Sequence, residues 1–321
     1  DEREHEIEER YFSQTPYSRP VAGKVGIQTQ MTDAVKRYVE KVSRTVDYSM
    51  RGLEFVVDCA HGAAFLAAPA LFERVGASVS IVGDTPDGMN INDGVGATHP
   101  AFVKSVARGR VGLSFDGDAD RLIAVDEDGE IVNGDVIMAI FAKWQHERGK
   151  LKNDLVVATV MSNLGFHHAM NGLGVDVAVT PVGDRHVVEE MRRTQAVVGG
   201  EQSGHILLED RSTGDGLRTA LRLMEVMAAT GKELRELRTV MTELPQVLTN
   251  VKVGSKDGWD SDPAIASSIA TWEAELGNRG RILVRPSGTE PLIRVMVEAP
   301  TASEAESAAT SIADVVHAQL T

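Results

Sequence analysis

The sequence predicts two α/β domains followed by a smaller α+β domain. Residues 53–82 have the pattern of a strand, a loop, a helix and a second strand, and residues 154–180 repeat that order. The tail differs, because strand-like segments at 247–253, 280–286 and 292–298 precede an alanine-rich helix at 303–319. A β-loop-α-β unit builds a mostly parallel sheet, so we expect the tail to form a separate fold.

Polar breaks divide the chain further. Two prolines and two glycines fall within residues 11–31, which indicates a linker, and Glu243-Leu-Pro245 indicates a hinge. The charged segment 1–10 is interpreted as the last helix of a domain whose body is absent from the sequence. The expected divisions are a remnant and linker at 1–31, an α/β domain at 32–126, an α/β domain at 127–242 and an α+β domain at 243–321.

The composition is that of an ordinary globular protein, with 42% apolar and 25% charged residues in 321. The longest apolar run, residues 63–72, is far shorter than the about 20 residues that cross a membrane. The net charge of −14 disfavours nonspecific nucleic-acid binding. The single cysteine, Cys59, excludes an intrachain disulfide and fits a reducing cytosol. We therefore expect a cytoplasmic protein without nucleic-acid or membrane partners.

Three aspartates alternate in the loop Asp116-Gly-Asp-Ala-Asp-Arg121, between strand-like segments. In a loop leaving a strand, this spacing can aim the carboxylates of Asp116, Asp118 and Asp120 at one point. Hard cations such as Mg²⁺ prefer oxygen ligands. The neighbouring Arg121 can pair with one phosphate oxygen while a metal polarises another. The loop therefore predicts a Mg²⁺ site suited to phosphoryl transfer.

Three other interpretations of this acidic loop remain open. An EF-hand loop has the same start and a glutamate at position twelve, here Glu127, but it requires glycine where Arg121 stands. A phosphatase can use the first aspartate, Asp116, as its nucleophile. A solvated acidic turn is the plainest alternative, although facing carboxylates without a cation raise the pKa of one another.

The loop Gly199-Gly-Glu-Gln-Ser-Gly-His205 carries three polar side chains between glycines. In an extended loop, Glu201, Ser203 and His205 point the same way, and a carboxylate beside a hydroxyl suits neighbouring sugar hydroxyls. The imidazole can hold a phosphate or move a proton near neutral pH. A simple polar turn is the alternative.

The loop Arg285-Pro-Ser-Gly-Thr-Glu-Pro291 has the features of a phosphate site. Ser287, Gly288 and Thr289 offer hydroxyls and backbone N–H groups that can form an anion nest. Arg285 and Arg294 flank the turn and can clamp phosphate oxygens. A β-turn between strands is the alternative.

Two weaker features complete the set. Arg185, in Val182-Gly-Asp-Arg185-His186, either adds a cation to a cleft or lies in a surface loop. The pair His167-His168 is interpreted as ordinary helix residues, because adjacent side chains diverge on a helix.

Together, the three loops resemble those of the α-phosphohexomutases, in the order that this family has them in its second, third and fourth domains. Further segments resemble the phosphoglucosamine mutase branch, and the resemblance covers nearly the whole chain. These segments are Pro86-Asp-Gly-Met-Asn-Ile-Asn92, Gly94-Val-Gly-Ala-Thr-His-Pro100, Pro181-Val-Gly-Asp-Arg185 and Gly199-Gly-Glu-Gln-Ser203. The resemblance implies two α/β domains with mixed sheets and an α+β C-terminal domain.

The resemblance also implies an isomerase that interconverts glucosamine 6-phosphate and glucosamine 1-phosphate for cell-wall precursor synthesis. In this family a phosphoserine donates its phosphate to the sugar, and a bisphosphate intermediate returns the other phosphate. Asp116, Asp118 and Asp120 match the Mg²⁺ ligands, and Glu201 and Ser203 match the residues that hold sugar hydroxyls. Arg121 and His205 match residues near the reacting phosphate, and His205 is a candidate acid or base. The clamp for the non-reacting phosphate matches four residues. The four are Arg285, Ser287, Gly288 and Thr289.

One family feature does not occur in this sequence. The catalytic serine of the family lies in a Ser-His-Asn-Pro segment, and residues 97–100, Ala-Thr-His-Pro, are only a superficial echo of it. We therefore expect the chain alone to have no mutase turnover and to bind Mg²⁺ weakly. The expected partners are a glucosamine phosphate, the absent N-terminal domain and, as an open possibility, a second copy of the chain.

Two other functions stay open beside this one. A phosphosugar-binding module would use the same loops without catalysis, and another phosphohexomutase would act on glucose or mannose phosphates.

Overall fold

The computed structural model describes residues 2–13, 19–209, 213–288 and 290–321. The chain divides into two compact units, Asp1–Val35 and Lys36–Thr321. In the first unit the charged segment forms helix α1, Glu2–Phe12, which confirms the helix predicted there. Part of the predicted linker, residues 14–18, lies outside the described residues.

The first sheet of the larger unit has five strands in the order β2-β1-β3-β4-β5. β1 pairs in parallel with β2 and β3, whereas β4 and β5 are antiparallel, so the sheet is mixed as expected. All five residues of β3 are buried, as suits a central strand covered on both faces. The strands are β1 Glu54–Asp58, β2 Ser78–Val82, β3 Val111–Phe115, β4 Leu122–Val125 and β5 Ile131–Val132. The accompanying helices are α2 Ala34–Val42, α3 Ala64–Val75 and α4 Pro100–Ala107.

The second sheet has four strands in the order β7-β6-β8-β9, and only β9 is antiparallel. Its strands are β6 Leu155–Thr159, β7 Asp176–Thr180, β8 Val198–Gly200 and β9 Ile206–Leu208. Its helices are α5 Gly134–Glu147, α6 Leu164–Leu173, α7 Asp184–Thr194, α8 Gly216–Thr230 and the short α9 Leu234–Leu237. His167 and His168 lie on α6, as predicted.

The third sheet is antiparallel throughout, in the order β10-β12-β11. Its strands are β10 Gln246–Lys252, β11 Arg281–Pro286 and β12 Leu292–Glu298, and its helices are α10 Pro263–Leu276 and α11 Ala302–Leu320. The sheet and both helices share a core that includes Ile265, Val295 and Ile312. This arrangement confirms the smaller α+β domain predicted for the tail.

One hydrophobic core serves the first and second sheets together. It runs from Val39 to Met241, and helix α5 has ten buried residues because it lies within this core. The first sheet also continues through Val132, beyond the division expected at residue 126. The first two domains therefore share a buried boundary, and the third sheet keeps its own core. None of the helices in the described residues is both long and apolar enough to cross a membrane.

Candidate active site

Three of the predicted site segments follow the carboxyl ends of parallel strands. The metal loop, residues 116–121, leaves β3, and the loop 201–205 leaves β8. Residues 181–183 leave β7, which lies in the same sheet as β8. Parallel strands end at one edge of their sheet, and crevices at that edge are where α/β proteins usually bind ligands.

The three aspartates of the metal loop converge. One carboxylate oxygen from each of Asp116, Asp118 and Asp120 lies within 4.8 Å of the others. A left-handed turn at Ala119, with φ of 62°, bends the chain so that alternate side chains meet. Asp116 is buried, Asp118 is exposed and Asp120 is half-buried, so the cluster opens to solvent on one side. This donor set fits a hard divalent cation.

Burial raises the pKa of Asp116 to about 6, and the charges of Asp120 and Asp118 add to the increase. The backbone N–H of Arg121, which donates to Asp116 Oδ1 at 3.2 Å, opposes it. Oδ1 of Asp120 is buried with no hydrogen-bond partner in the part of the chain that is described. A cation among these oxygens would relieve both the repulsion and the missing contact.

The Arg121 side chain lies over the carboxylates. Its Nε is 3.6 Å from Asp116 Oδ2 and 3.7 Å from Asp120 Oδ1, which are ion-pair distances without a hydrogen bond. The guanidinium therefore offsets part of the negative charge of the metal loop. Its predicted contact with a reacting phosphate stays a prediction.

The metal loop and the loop 201–205 are joined by backbone hydrogen bonds. Arg121 and His205 form an antiparallel bridge, and Leu122 N–H donates to Gly204 O at 3.0 Å. A Cβ at Gly204 would overlap Leu122 O, so this close approach requires glycine. Two loops that are 80 residues apart in the sequence thus form one surface.

His205 is buried between the two loops, with only 4% of its surface exposed. Its Nδ1 lies 3.0 Å from Asp120 Oδ2, and its Nε2 accepts the Gly214 N–H at 3.1 Å. Because Nε2 accepts, the proton resides on Nδ1, and the imidazole donates to the Asp120 carboxylate. The side chain therefore orients Asp120.

Glu201 is held from the neighbouring strand end. Its Oε1 accepts the Gly183 N–H at 3.0 Å, which ties the loop after β7 to the loop after β8. Ser203 is exposed, in keeping with a hydroxyl available to a ligand. Arg185 lies in the first turn of α7 and pairs with Glu189 at 3.0 Å on the exposed surface. The structure thus ties Glu201 to the end of β7 and places Arg185 on an exposed helix.

The phosphate loop, residues 285–291, joins β11 to β12. Ser287 is buried, its N–H donates to Leu292 O at 2.9 Å, and its Oγ accepts the Glu290 N–H at 3.3 Å. Gly288 is exposed, and a Cβ there would meet nothing within 4 Å. Thr289 lies outside the described residues. The turn therefore exposes Gly288, while the preceding Ser287 is held in place by two hydrogen bonds.

Arg285 and Arg294 lie directly opposite each other on β11 and β12. Burial and the charge of Arg294 lower the pKa of Arg285 below its ordinary value. The carboxylate of Glu290 partly offsets the charge of Arg294, at 3.7 Å from Nη2 to Oε2. The Nε of Arg294 is buried without a hydrogen-bond partner in the described ranges. Like charges on opposite residues repel, so this pair favours a bound anion.

Two contacts of the phosphate loop could not be predicted from the sequence. Lys256 Nζ donates to Ser287 O at 2.7 Å, and Arg285 Nη2 lies 3.7 Å from Met161 Sδ. Met161 follows β6, so the phosphate loop touches the second sheet through it. A lone lysine in Gly-Ser-Lys-Asp-Gly and a methionine after a strand carry no motif, and only the fold brings them to this loop.

Comparison with protein families assigns nearly all of the larger unit. The model "Phosphoglucomutase/phosphomannomutase, alpha/beta/alpha domain II" matches residues 36–129, domain III matches 133–244 and the C-terminal domain matches 248–315. A phosphoglucosamine mutase of Streptococcus agalactiae serotype Ia is 47% identical over all of this chain and 72% of its own length. The chain belongs to the phosphohexomutase family.

Other curated relatives of this phosphohexomutase chain carry the same name. Phosphoglucosamine mutases of Moorella thermoacetica and Exiguobacterium sp. are 52% and 45% identical, over 90% and 98% of the chain. The chain spans 66% and 71% of their lengths, or about two thirds. The family and its branch resemblance are thereby confirmed.

Solved structures show the same fold. The N-acetylphosphoglucosamine mutase of Aspergillus fumigatus, in complex with GlcNAc-6P and magnesium, matches with a TM-score of 0.73 and 23% identity, over 89% of this chain and 65% of that one. A phosphoglucomutase/phosphomannomutase family protein of Burkholderia thailandensis matches with a TM-score of 0.71 and 23% identity, over 88% and 64%. The mixed α/β fold predicted from the sequence is that of phosphohexomutases.

Proposed function

We propose that this chain provides the metal, sugar and phosphate loops of a phosphoglucosamine mutase, an isomerase that interconverts glucosamine 6-phosphate and glucosamine 1-phosphate. The backbone bridge between Arg121 and His205 carries the proposal, because it joins the metal loop to the proposed sugar loop, residues 201–205. Relatives 45–52% identical bear that name. We propose that the second domain of such an enzyme extends to residue 132, because β5 belongs to the first sheet, and that residues 133–244 and 248–315 belong to the third and fourth domains.

The cation in this proposal is Mg²⁺, held by Asp116, Asp118 and Asp120. The oxygen-only donor set and the unpartnered Asp120 Oδ1 support it. When bound, Mg²⁺ would neutralise charge on a phosphoryl group. Arg121, beside two of these carboxylates, would face the same phosphate.

His205 has a positioning role in this proposal. Both of its ring nitrogens are engaged, with Asp120 and with the Gly214 N–H. It keeps Asp120 oriented toward the cation. An acid or base function, our prediction from the sequence, would require one of these two hydrogen bonds to open.

The sugar and the second phosphate take the remaining loops. Glu201 accepts sugar hydroxyls with the oxygen that Gly183 does not use, and the exposed Ser203 adds a hydroxyl. The opposed pair Arg285 and Arg294 binds the non-reacting phosphate. Ser287, Gly288 and Thr289 complete that phosphate site in the proposal, and Arg185 stays a further candidate contact.

The phosphoryl donor in this proposal is a phosphoserine outside these 321 residues. Its phosphate moves to a free sugar hydroxyl, and the sugar's other phosphate returns to the serine. The chain alone therefore binds the phosphosugar without turning it over.

Phosphorus NMR of the chain with glucosamine 6-phosphate and Mg²⁺ tests this proposal. We expect line broadening or shifts from binding, with neither glucosamine 1-phosphate nor inorganic phosphate formed. Formation of glucosamine 1-phosphate would refute the external donor. If the chain released inorganic phosphate and the variant Asp116→Asn did not, the chain would instead be a phosphatase. Tighter binding of mannose 6-phosphate than of glucosamine 6-phosphate would favour another phosphohexomutase.

A further inference from the structure

The ammonium group of Lys256 lies beneath the phosphate loop. Lys256 is half-buried in the segment between β10 and α10, and its Nζ donates to Ser287 O at 2.7 Å. Its segment is anchored on two sides, since Val253 N–H donates to Pro291 O and Gly254 N–H donates to Leu320 O. The first of these bonds ends on the same loop. Lys256 therefore approaches Ser287 from a support that is built into the third sheet and α11.

All three polar groups of Ser287 form hydrogen bonds, and the carbonyl is the one bound by Lys256. The N–H and Oγ of Ser287 bond to the Leu292 carbonyl and the Glu290 N–H. A trans peptide is planar, so its carbonyl oxygen and the next N–H point in opposite directions. Fixing Ser287 O on Lys256 therefore turns the Gly288 N–H away from the lysine.

The side that this N–H faces matters for an anion. Gly288 is exposed and has open space around it, whereas carbonyl oxygens repel anions. Without Lys256, nothing among the described contacts holds the Ser287 carbonyl, and the peptide could rotate it toward the anion. A charged donor makes the stronger kind of hydrogen bond, which suits this task.

We propose that Lys256 is a positioning residue for phosphate binding, which holds the Ser287–Gly288 peptide so that its N–H faces the anion and which adds a third positive charge to Arg285 and Arg294. This inference rests on the proposed function, because it deepens the role of the same phosphate loop. Lys256 acts through Ser287 and does not itself touch the phosphosugar.

The test is titration calorimetry with glucosamine 6-phosphate, glucosamine and inorganic phosphate in the presence of Mg²⁺. Lys256→Met should weaken glucosamine 6-phosphate binding about tenfold, the effect expected of a lost charged hydrogen bond. The affinity of Lys256→Arg for glucosamine 6-phosphate should stay within about threefold of that of the unmutated chain. The matched control is Lys252→Met, because Lys252 is an exposed lysine on β10. This substitution should leave the affinity for glucosamine 6-phosphate unchanged.

A second readout separates positioning from general stability. In the unmutated chain, inorganic phosphate should shift the Gly288 amide in a ¹⁵N–¹H spectrum, and Lys256→Met should lose that shift while keeping the same urea midpoint. If Lys256→Met does not fold, the Lys256→Arg titration and the Gly288 shift in the unmutated chain decide the matter.

The outcomes distinguish the inference from the function. Equal affinities for the unmutated chain and Lys256→Met, or an unmoved Gly288 amide on phosphate binding, overturn the role of Lys256 and leave the function standing. No binding of any sugar phosphate by the unmutated chain overturns both.

Discussion

At the residue scale, Asp120 depends on a histidine that the sequence places 85 positions away. His205 donates to Asp120 Oδ2 and is itself fixed by the Gly214 N–H. A Cβ at Gly214 would lie 2.7 Å from His205 Nε2 and 2.8 Å from Asp120 O. This packing leaves no room for a side chain at position 214. The orientation of Asp120, a proposed metal ligand, therefore requires glycine there.

The substitution Gly214→Ala should therefore weaken divalent-cation binding. The added methyl must displace His205 or Asp120, which we expect to cost about 1–3 kcal/mol of stability and to lower Mg²⁺ affinity. Thermal unfolding and calorimetric titration with MgCl₂ measure the two effects.

Gly172→Ala is the matched control for Gly214→Ala. Gly172 lies in α6 with nothing within 4 Å of an added Cβ, so alanine should be neutral or stabilising by up to about 1 kcal/mol. Unchanged Mg²⁺ affinity in Gly214→Ala would show that His205 does not position Asp120.

Asp135 predicts a pH dependence of stability. It is fully buried at the start of α5, accepts the Asn163 N–H at 2.7 Å, and burial raises its pKa from 3.8 to about 7. Since the folded chain holds the proton more tightly, the stabilisation is complete below pH 3.8 and is lost as the pH rises through about 7.

The variant Asp135→Asn should remove this dependence, because an amide keeps the acceptor and cannot ionise. Between pH 5 and pH 7.5, the unmutated chain should lose about 2–3 kcal/mol of unfolding free energy relative to the variant. Urea unfolding at both pH values measures the difference. A constant difference between the two proteins across this range would mean that Asp135 has an ordinary pKa.

At the scale of elements, the end of β6 connects the second sheet to the third. Arg281 on β11 bonds Glu298 on β12 and also donates to Ser162 O at 2.7 Å, just beyond β6. Glu298 is fully buried and also accepts the Leu164 N–H at 3.0 Å. Asn163 exchanges two hydrogen bonds with Leu244 in the predicted hinge.

The variant Arg281→Met should loosen this junction. It leaves the Glu298 carboxylate buried without its cation, which we expect to cost about 3–5 kcal/mol. The Leu164 amide should also exchange its hydrogen faster. Urea unfolding and hydrogen exchange follow these changes.

The neighbouring Arg279 supplies the control for the junction. It pairs with Glu304 at 3.6 Å and is half-exposed, so Arg279→Met should cost less than about 1 kcal/mol. If both arginine variants lost the same stability, the buried pair would not hold the two sheets together.

The elements also show what a single sequence can predict. The apolar rhythm located every strand from β1 to β4, and β6, β7 and β10 to β12, because buried strands leave a strong pattern. It missed the short strands β5, β8 and β9, and helices α4, α7, α9 and α10. α7 is strongly polar and begins within the segment Val182–His186, for which a surface loop was one of the two interpretations. Pairing of β8 with β6 depends on tertiary contacts that have no local signature.

At the scale of the whole molecule, the site residues were predictable as motifs but their mutual contacts were not. The alternation of Asp116, Asp118 and Asp120 predicted their convergence. Other contacts depend on strands that come together only in the folded chain. These are the hydrogen bonds of His205, the hydrogen bond from Gly183 to Glu201 and the position of Lys256. Alternation in a sequence therefore identifies donors, whereas burial and neighbours determine which atoms remain available.

In the proposed enzyme, the sugar loop and the phosphate loop bind the same phosphosugar. This is tested by calorimetric titration of the chain with glucosamine 6-phosphate in the presence of Mg²⁺, with Glu201→Gln and Arg285→Gln compared singly and together. We predict a single one-to-one isotherm that each substitution weakens at least tenfold. A second independent isotherm, or an affinity that neither substitution changes, would contradict the claim.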